Sequence, residues 1–231
     1  MKGIIFDMDG VLIDAMPFHA EAMRIAINEE TGYDIDKRIV YLLEGMPGPG
    51  LVKEIFRRKS IISKDIDDSL VEKISKRKKE LFRQIQNSQA IEGAKELIED
   101  LGDCNCLKAI VSGASKKEIE AILDENMGLK NFDVVIAGDD VEEGKPHPSP
   151  FQKALQRMDL KPFEAIVVEN APLGVEAAIR AGIEYIVTLN NTPLDISSDF
   201  KGAISLDGKE RNKVFKDTKS ASSFLKEWCC K

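Results

Sequence analysis

Lys2-Gly-Ile-Ile-Phe-Asp-Met-Asp-Gly10, at the start of the chain, delivers two aspartates one residue apart directly after a short apolar run. The run Ile4, Ile5 and Phe6 reads as a buried strand of a parallel sheet, where apolar side chains serve both faces. Side chains two apart on extended chain face the same way, so Asp7 and Asp9 can converge at one strand end. Two carboxylates held that close repel each other, and either one carries a proton or both share a cation. Both states suit a nucleophile beside a general acid with a hard metal between them. A plain turn after a strand at Asp9-Gly10 would explain the same residues without chemistry.

Outward from this strand, apolar runs of strand length alternate with amphipathic segments of helix length, the pattern of an α/β fold with a parallel sheet flanked by helices. Strands are expected at Ile4 to Phe6, Leu107 to Val111, Val134 to Ala137, Ala165 to Val168 and Tyr185 to Leu189. Helices are expected at about Lys95 to Leu101, Lys116 to Glu125, Pro150 to Met158 and Leu173 to Ala181. Between the first strand and Gly93 the character changes. Pro17 to Glu30, Leu51 to Arg58 and Ser69 to Gln86 all read as helices, which suggests an inserted helical domain, with Glu44 to Gly50 a turn-rich loop inside it. The segment from Asp195 to Thr218 carries no clear pattern.

Composition narrows the function. With 231 residues, 43% hydrophobic and 32% charged, the chain can build a core without disulfides. Cys104, Cys106, Cys229 and Cys230 have neither zinc-finger spacing nor the look of a secreted framework, so buried thiols and an exposed C-terminal pair are expected. A formal charge of -7 argues against broad nucleic-acid affinity. The most basic run, Lys76 to Lys79, lies in a helical pattern and reads as a solvated face. No apolar stretch approaches the roughly 20 residues of a membrane span, and the start lacks a signal-peptide pattern, so a cytoplasmic protein is expected.

In an open parallel sheet, ligands bind beyond the carboxyl ends of the strands. Asp7 and Asp9 follow the first strand, Ser112-Gly113-Ala-Ser115 the second, a loop to Gly144-Lys145-Pro146 the third, and Glu169-Asn170 the fourth. Each has a plain structural explanation: Ser115 as a helix cap, Lys145 as a loop cation, Asn170 as an N-cap. Together they place a hydroxyl, a lysine and acid or amide oxygens at one sheet edge.

This ordered set resembles the haloacid dehalogenase superfamily of phosphotransferases, in the branch of β-phosphoglucomutase and phosphoglycolate phosphatase. The resemblance rests on Asp7-Met-Asp-Gly10 with Val11-Leu-Ile-Asp14 following, Ser112, Gly144-Lys-Pro-His-Pro148 and Val168-Glu-Asn-Ala-Pro-Leu-Gly174. It implies a Rossmann-like core of residues 1–15 and 90–231, with residues 16–89 as an α-helical cap that excludes water and contacts substrate. It further implies that Asp7 attacks phosphorus to form an aspartyl phosphate, while Asp9 protonates the leaving alkoxide and later activates water. Ser112, Gly113 and Lys145 would hold the phosphoryl group. Magnesium would be held by Asp7, the Asp9 backbone carbonyl, Glu169 and Asn170. Relatives usually carry aspartate where this chain has Asn170, so Glu169 is expected to be the direct anionic ligand.

His19 could touch substrate or support the hinge of the cap, and His147, among three prolines, is expected to fix Lys145 rather than react. Gly138 to Lys145 fails as a P-loop, with five residues between its glycines and Pro146 where a hydroxyl is needed. The cap loop lacks the Arg or Lys that phosphomutase relatives use to grip a second phosphate, although Lys53, Arg57 or Arg58 could compensate. The expected activity is a magnesium-dependent phosphatase acting on a small phosphorylated metabolite. A sugar phosphomutase and a non-catalytic phosphate-binding regulator are the alternatives.

Overall fold

The computed structural model describes residues 1–59, 66–204 and 212–230. In chain order the elements are β1 (Lys2–Phe6), α1 (Met16–Thr31), α2 (Arg38–Leu42), α3 (Gly48–Lys59), α4 (Asp68–Ile85), α5 (Ala94–Asp100), β2 (Cys106–Val111), α6 (Lys116–Asn126), β3 (Val134–Ile136), α7 (Ser149–Met158), β4 (Ala165–Glu169), α8 (Pro172–Arg180), β5 (Tyr185–Leu189), α9 (Ile196–Asp199), α10 (Lys201–Ile204), β6 (Asn212–Phe215) and α11 (Thr218–Cys230). The strands form one parallel sheet in the order β3-β2-β1-β4-β5-β6. All five expected strands and every expected helix are present, with ends shifted by one to three residues.

The continuous apolar run of β1 follows from its central position. Ile4 and Phe6 join one buried cluster with the helices after β1, whereas Ile5 joins Phe151 of α7 and Val175 of α8 on the opposite face. Successive strand side chains alternate faces, so a strand covered on both sides must be apolar throughout. The chain first runs outward from β1 to β2 and β3, then returns to the other flank at β4. Such a reversal opens a crevice at the carboxyl ends of the strands. Phe6 lies opposite both Ile110 and Val168, which brings the residues after β1, β2 and β4 to one level.

Between β1 and β2 the described chain is helical, with isolated bridges at Ile13 and Ala90. The chain leaves and returns side by side: Asp14 N–H donates to Gln89 O at 2.8 Å and Ile91 N–H to Leu12 O at 2.8 Å. α1 and α4 pack on each other through Met23, Ala26 and Ile27 and through Val71, Ile74 and Phe82. α2 was not anticipated; its Arg38 pairs with Asp199 of α9, on the sheet side. The loop expected over Glu44 to Gly50 is shorter, because α3 begins at Gly48. Proline is tolerated in a first helical turn, where its missing N–H would have no partner.

Two further expectations are corrected. The four cysteines are not free: Cys104 pairs with Cys230 and Cys106 with Cys229, across Cα separations of 5.3 and 5.7 Å. Cys104 and Cys106 flank one residue at the start of β2, and the end of α11 runs beside them. The pattern-free segment from Asp195 to Thr218 contains α9, α10 and β6, and residues 205–211 of it lie outside the described residues. β6, Asn-Lys-Val-Phe, is an edge strand with Val214 exposed, and so lacks the apolar run that betrays a buried strand. Among the described residues, no helix is long and apolar enough to cross a membrane.

Candidate active site

Asp7 follows β1 immediately, anchored where its N–H donates to Val168 O at 3.0 Å. Lys145, from the loop before α7, is buried between two buried acids: its Nζ donates to Asp7 Oδ1 and, at 2.6 Å, to Glu169 Oε1. Glu169 ends β4, and its Oε2 accepts from the N–H groups of Asn170 (2.8 Å) and Ala171 (3.0 Å). Burial raises the Asp7 pKa well above the ordinary value; Lys145 opposes that rise, and Glu169 and Asp9 add to it. Burial disfavours the Lys145 charge, yet Asp7 and Glu169 together hold its pKa above the ordinary lysine value. The lysine is thus a fixed cation between two carboxylates, an arrangement that positions Asp7 and offsets charge.

Two glycines make this packing possible. A Cβ at Gly174 would fall 1.7 Å from Glu169 Oε1, and one at Gly10, where φ is +84°, would fall 1.9 Å from Asn170 Nδ2. Asn170 is not an N-cap, since Ala171 takes that position in α8. Its side chain is fully buried with both amide atoms unpartnered. Ser112 is buried at the end of β2, and its Oγ accepts from Ala114 N–H at 3.1 Å. Ser115 caps α6, with Oγ donating to Glu118 at 2.7 Å, as its plain structural reading anticipates. His147 lies outside the cavity, 3.1 Å from Glu143 and 2.6 Å from Ser149 Oγ.

A cavity of about 310 Å³ opens over these residues, lined by Asp7, Asp9, Ser112, Gly113 and Lys145 on the sheet side. The opposite wall comes from the helical insert and includes His19, Glu44, Met46, Ser75 and Lys78. His19 stacks on Phe82 with ring centroids 3.9 Å apart, and its Nε2 is 3.7 Å from Asp9 Oδ1. Lys78 Nζ lies 2.8 Å from His19 Nδ1. Burial and the Lys78 charge depress the His19 pKa; burial also lowers Lys78 itself to about 8. The solvated face expected at Lys76 to Lys79 holds for Lys76 and Lys79, which are exposed, and is corrected at Lys78, which is half-buried on the cavity wall; Lys79 lines the cavity from its exposed edge.

Glu44, Ser75 and Lys78 were not singled out from the sequence as site residues. A helical spacing was available as a signal, since Ser75, Lys78 and Phe82 fall on one face of α4. Glu44 gives no such signal. It owes its position to Gly45, whose φ of +91° turns the chain against the Lys145 side chain.

The donor set suits a hard divalent cation. Asp7 Oδ2 and Asn170 Oδ1 are buried oxygens without hydrogen-bond partners, which is what an oxygen-seeking ion requires. Both Glu169 oxygens, in contrast, are already engaged.

Comparison with known proteins agrees with this geometry. The model of the haloacid dehalogenase-like hydrolase family matches residues 4–188. A phosphorylated carbohydrates phosphatase of Thermotoga maritima is 31% identical, over 80% of this chain and 84% of that protein. A fructose-1-phosphate phosphatase of Escherichia coli is 28% identical, over 80% and 94%. The structure of a β-phosphoglucomutase from Clostridium difficile superposes with a TM-score of 0.79, covering 99% of this chain and 96% of that one; at 20% identity it speaks to the fold. A match over so much of the chain, on a sheet edge carrying the expected acids and lysine, means that this protein belongs to the haloacid dehalogenase-like hydrolase family.

Proposed function

We propose that the protein is a magnesium-dependent phosphatase that hydrolyses a small phosphorylated metabolite through an aspartyl-phosphate intermediate. The observation that carries this reading is the buried Asp7–Lys145–Glu169 arrangement opening onto a cavity that Asp9 also lines. Asp7 is the nucleophile, held in place by Lys145. Asp9 protonates the leaving alkoxide and then takes a proton from the attacking water, with His19 beside it. Ser112, the Gly113 backbone and Lys145 hold the phosphoryl oxygens. Magnesium would be held by Asp7, the Asp9 carbonyl and Asn170, with Glu169 acting through Lys145 and the Asn170 backbone. When bound, it offsets the repulsion between a carboxylate and a phosphate. Residues 16–89 serve as the cap domain that closes over substrate.

Hydrolysis is favoured over phosphomutation by the cap loop and by α3, although α4 brings two cations, Lys78 and Lys79, to the cavity wall. Lys53 is paired with Asp68 at 2.6 Å, Arg57 and Arg58 are both paired with Glu54 at 2.7 Å, and the loop next to the cavity contributes an acid, Glu44. The test is phosphate release from sugar phosphates, phosphoglycolate and an aryl phosphate, with and without magnesium, beside Asp7→Asn. Magnesium-dependent release that disappears in Asp7→Asn is expected. Isomerised sugar phosphate without free phosphate would establish the mutase, and binding without turnover a regulator disabled at Asn170.

A further inference from the structure

The two aspartates of the site are held differently. Asp7 is gripped by Lys145, whereas Asp9 Oδ1 is buried and has no hydrogen-bond partner among the described residues. His19 Nε2 stands 3.7 Å from it, beyond hydrogen-bond range. The placement of the Asp9 carboxylate therefore depends on what fixes the backbone of residues 9–11.

The turn from Met8 to Ile13 satisfies its own donors. Leu12 and Ile13 N–H both donate to Met8 O at 3.0 Å, and Gly10 N–H donates to Ile13 O at 2.7 Å. Two of its carbonyls are met from outside. Gly10 O accepts from Asn191 Nδ2 at 2.6 Å, and Val11 O accepts from Thr218 Oγ1 at 2.6 Å. Those donors come from the loop after β5 and from the first residue of α11, 181 and 207 residues along the chain. Gly10 is also packed against Asn170, which leaves no room for a Cβ. The segment after Asp9 is thus clamped by groups that follow β4, β5 and β6.

Both donors sit on fixed parts of the fold, as positioning groups must. Thr218 is fully buried, and the capping task open to a threonine at a helix start is already filled by Asp217, whose Oδ1 accepts from Ser220 N–H at 2.8 Å. The Thr218 hydroxyl is left for Val11 O. The far end of α11 is tied to the start of β2 by both disulfides and to β1 by Lys2 Nζ, which donates to Trp228 O at 2.8 Å. Asn190 N–H donates to Phe215 O at 2.8 Å and so fastens the loop carrying Asn191 to the end of β6.

We propose that Asn191 and Thr218 are positioning residues that hold the Gly10 and Val11 carbonyls and thereby aim the Asp9 carboxyl group at the leaving oxygen of the substrate. This rests on the phosphatase reading above and deepens it. An alkoxide needs a proton as its bond to phosphorus breaks, whereas a nitrophenolate leaves without one. A misaimed Asp9 therefore penalises alkyl phosphates more than aryl phosphates.

The experiment measures kcat/KM for para-nitrophenyl phosphate and for the alkyl phosphate that the wild type hydrolyses fastest, in wild type, Asn191→Leu, Thr218→Val and Thr218→Ser. Leucine and valine keep the side-chain volume and delete the donor, whereas serine keeps the hydroxyl. Asn191→Leu and Thr218→Val are expected to lower the alkyl-to-aryl ratio by about 10-fold or more, part of the roughly 100- to 10,000-fold that a positioned acid contributes. Thr218→Ser is expected to keep the wild-type ratio. An equal loss on both substrates, the mark of a purely structural role, overturns the proposal, and so does an unchanged ratio. Amide hydrogen exchange at Gly10 to Ile13 reads the clamp without turnover: Asn191→Leu and Thr218→Val must speed it, and unchanged exchange overturns the proposal. Absence of turnover in wild type would refute the phosphatase reading alone, and the exchange comparison would still decide whether these donors hold the turn. Thermal unfolding of each variant separates loss of the fold from loss of position. Asn191 is exposed, so Asn191→Leu carries the test if Thr218→Val does not fold.

Discussion

Replacing Gly174 with alanine sets local propensity against tertiary packing and predicts opposite signs. Gly174 is the third residue of α8, where glycine to alanine ordinarily stabilises a helix by about 0.5–1 kcal/mol. Here the new Cβ would lie 1.7 Å from Glu169 Oε1, 2.1 Å from its Cδ and 2.7 Å from Oε2. The carboxylate would have to retreat by roughly 1.5 Å to reach ordinary contact. Oε1 now stands 2.6 Å from Lys145 Nζ, so such a retreat takes it beyond hydrogen-bond range. Separating a buried ion pair costs about 3–5 kcal/mol, which leaves a net destabilisation of about 2–4 kcal/mol after the helix gain. Gly50→Ala is the control: also third in its helix, Gly50 has nothing within 4 Å of its Cβ position, so stabilisation of about 0.5–1 kcal/mol is expected. Urea unfolding followed by the single tryptophan, Trp228, measures both. Phosphate release by Gly174→Ala should fall as well, because Lys145 loses one of its two anchors. An unfolding midpoint for Gly174→Ala at or above the wild-type value would refute the reasoning.

Other consequences can be measured separately. The disulfides join residues 126 and 123 apart and so close nearly the same loop, and either one alone retains most of the stabilisation of about 5 kcal/mol expected for such a loop. Cys104→Ser and Cys106→Ser should each lose about 1 kcal/mol and the double variant about 5 kcal/mol; chemical denaturation that found the two losses additive would contradict this. Lys78→Met removes the charge that helps depress the His19 pKa, so the His19 titration followed by NMR should move upward, and an unmoved titration would count against the contact. Lys78 itself titrates near 8 when folded, against an ordinary 10.5, so the unfolded chain binds more protons between those values. Its contribution to stability therefore rises with pH through that window and is complete above it, a rise that Lys78→Met should abolish in unfolding measured at several pH values. Asn170→Asp adds a carboxylate beside the proposed cation ligands and should raise magnesium affinity about tenfold or more by calorimetry; unchanged affinity would exclude Asn170 as a ligand.

Strands β1 to β5 of the sheet were legible because their signals are local. An unbroken Ile-Ile-Phe run is what a strand covered on both faces requires, and the groups placed after successive strands necessarily meet at one edge of a parallel sheet. Asp7, Asp9, Ser112, Lys145, Glu169 and Asn170 could thus be gathered from sequence order alone. Which partner each acid takes could not be gathered in this way. Lys145 bridges Asp7 and Glu169, and Asn170 keeps the free oxygen, because Gly10 and Gly174 allow those side chains to pack within a few ångströms, a matter of three-dimensional proximity. The insert wall was equally hidden: Glu44, Ser75 and Lys78 are ordinary surface-type residues until helix packing turns them toward the cavity. The same holds for Cys104 with Cys230 and Cys106 with Cys229, whose pairing depends on where α11 ends relative to β2. Periodicity and turn residues report the environment of each segment, whereas contacts between segments far apart in sequence depend on how their surfaces fit, which only the folded chain decides.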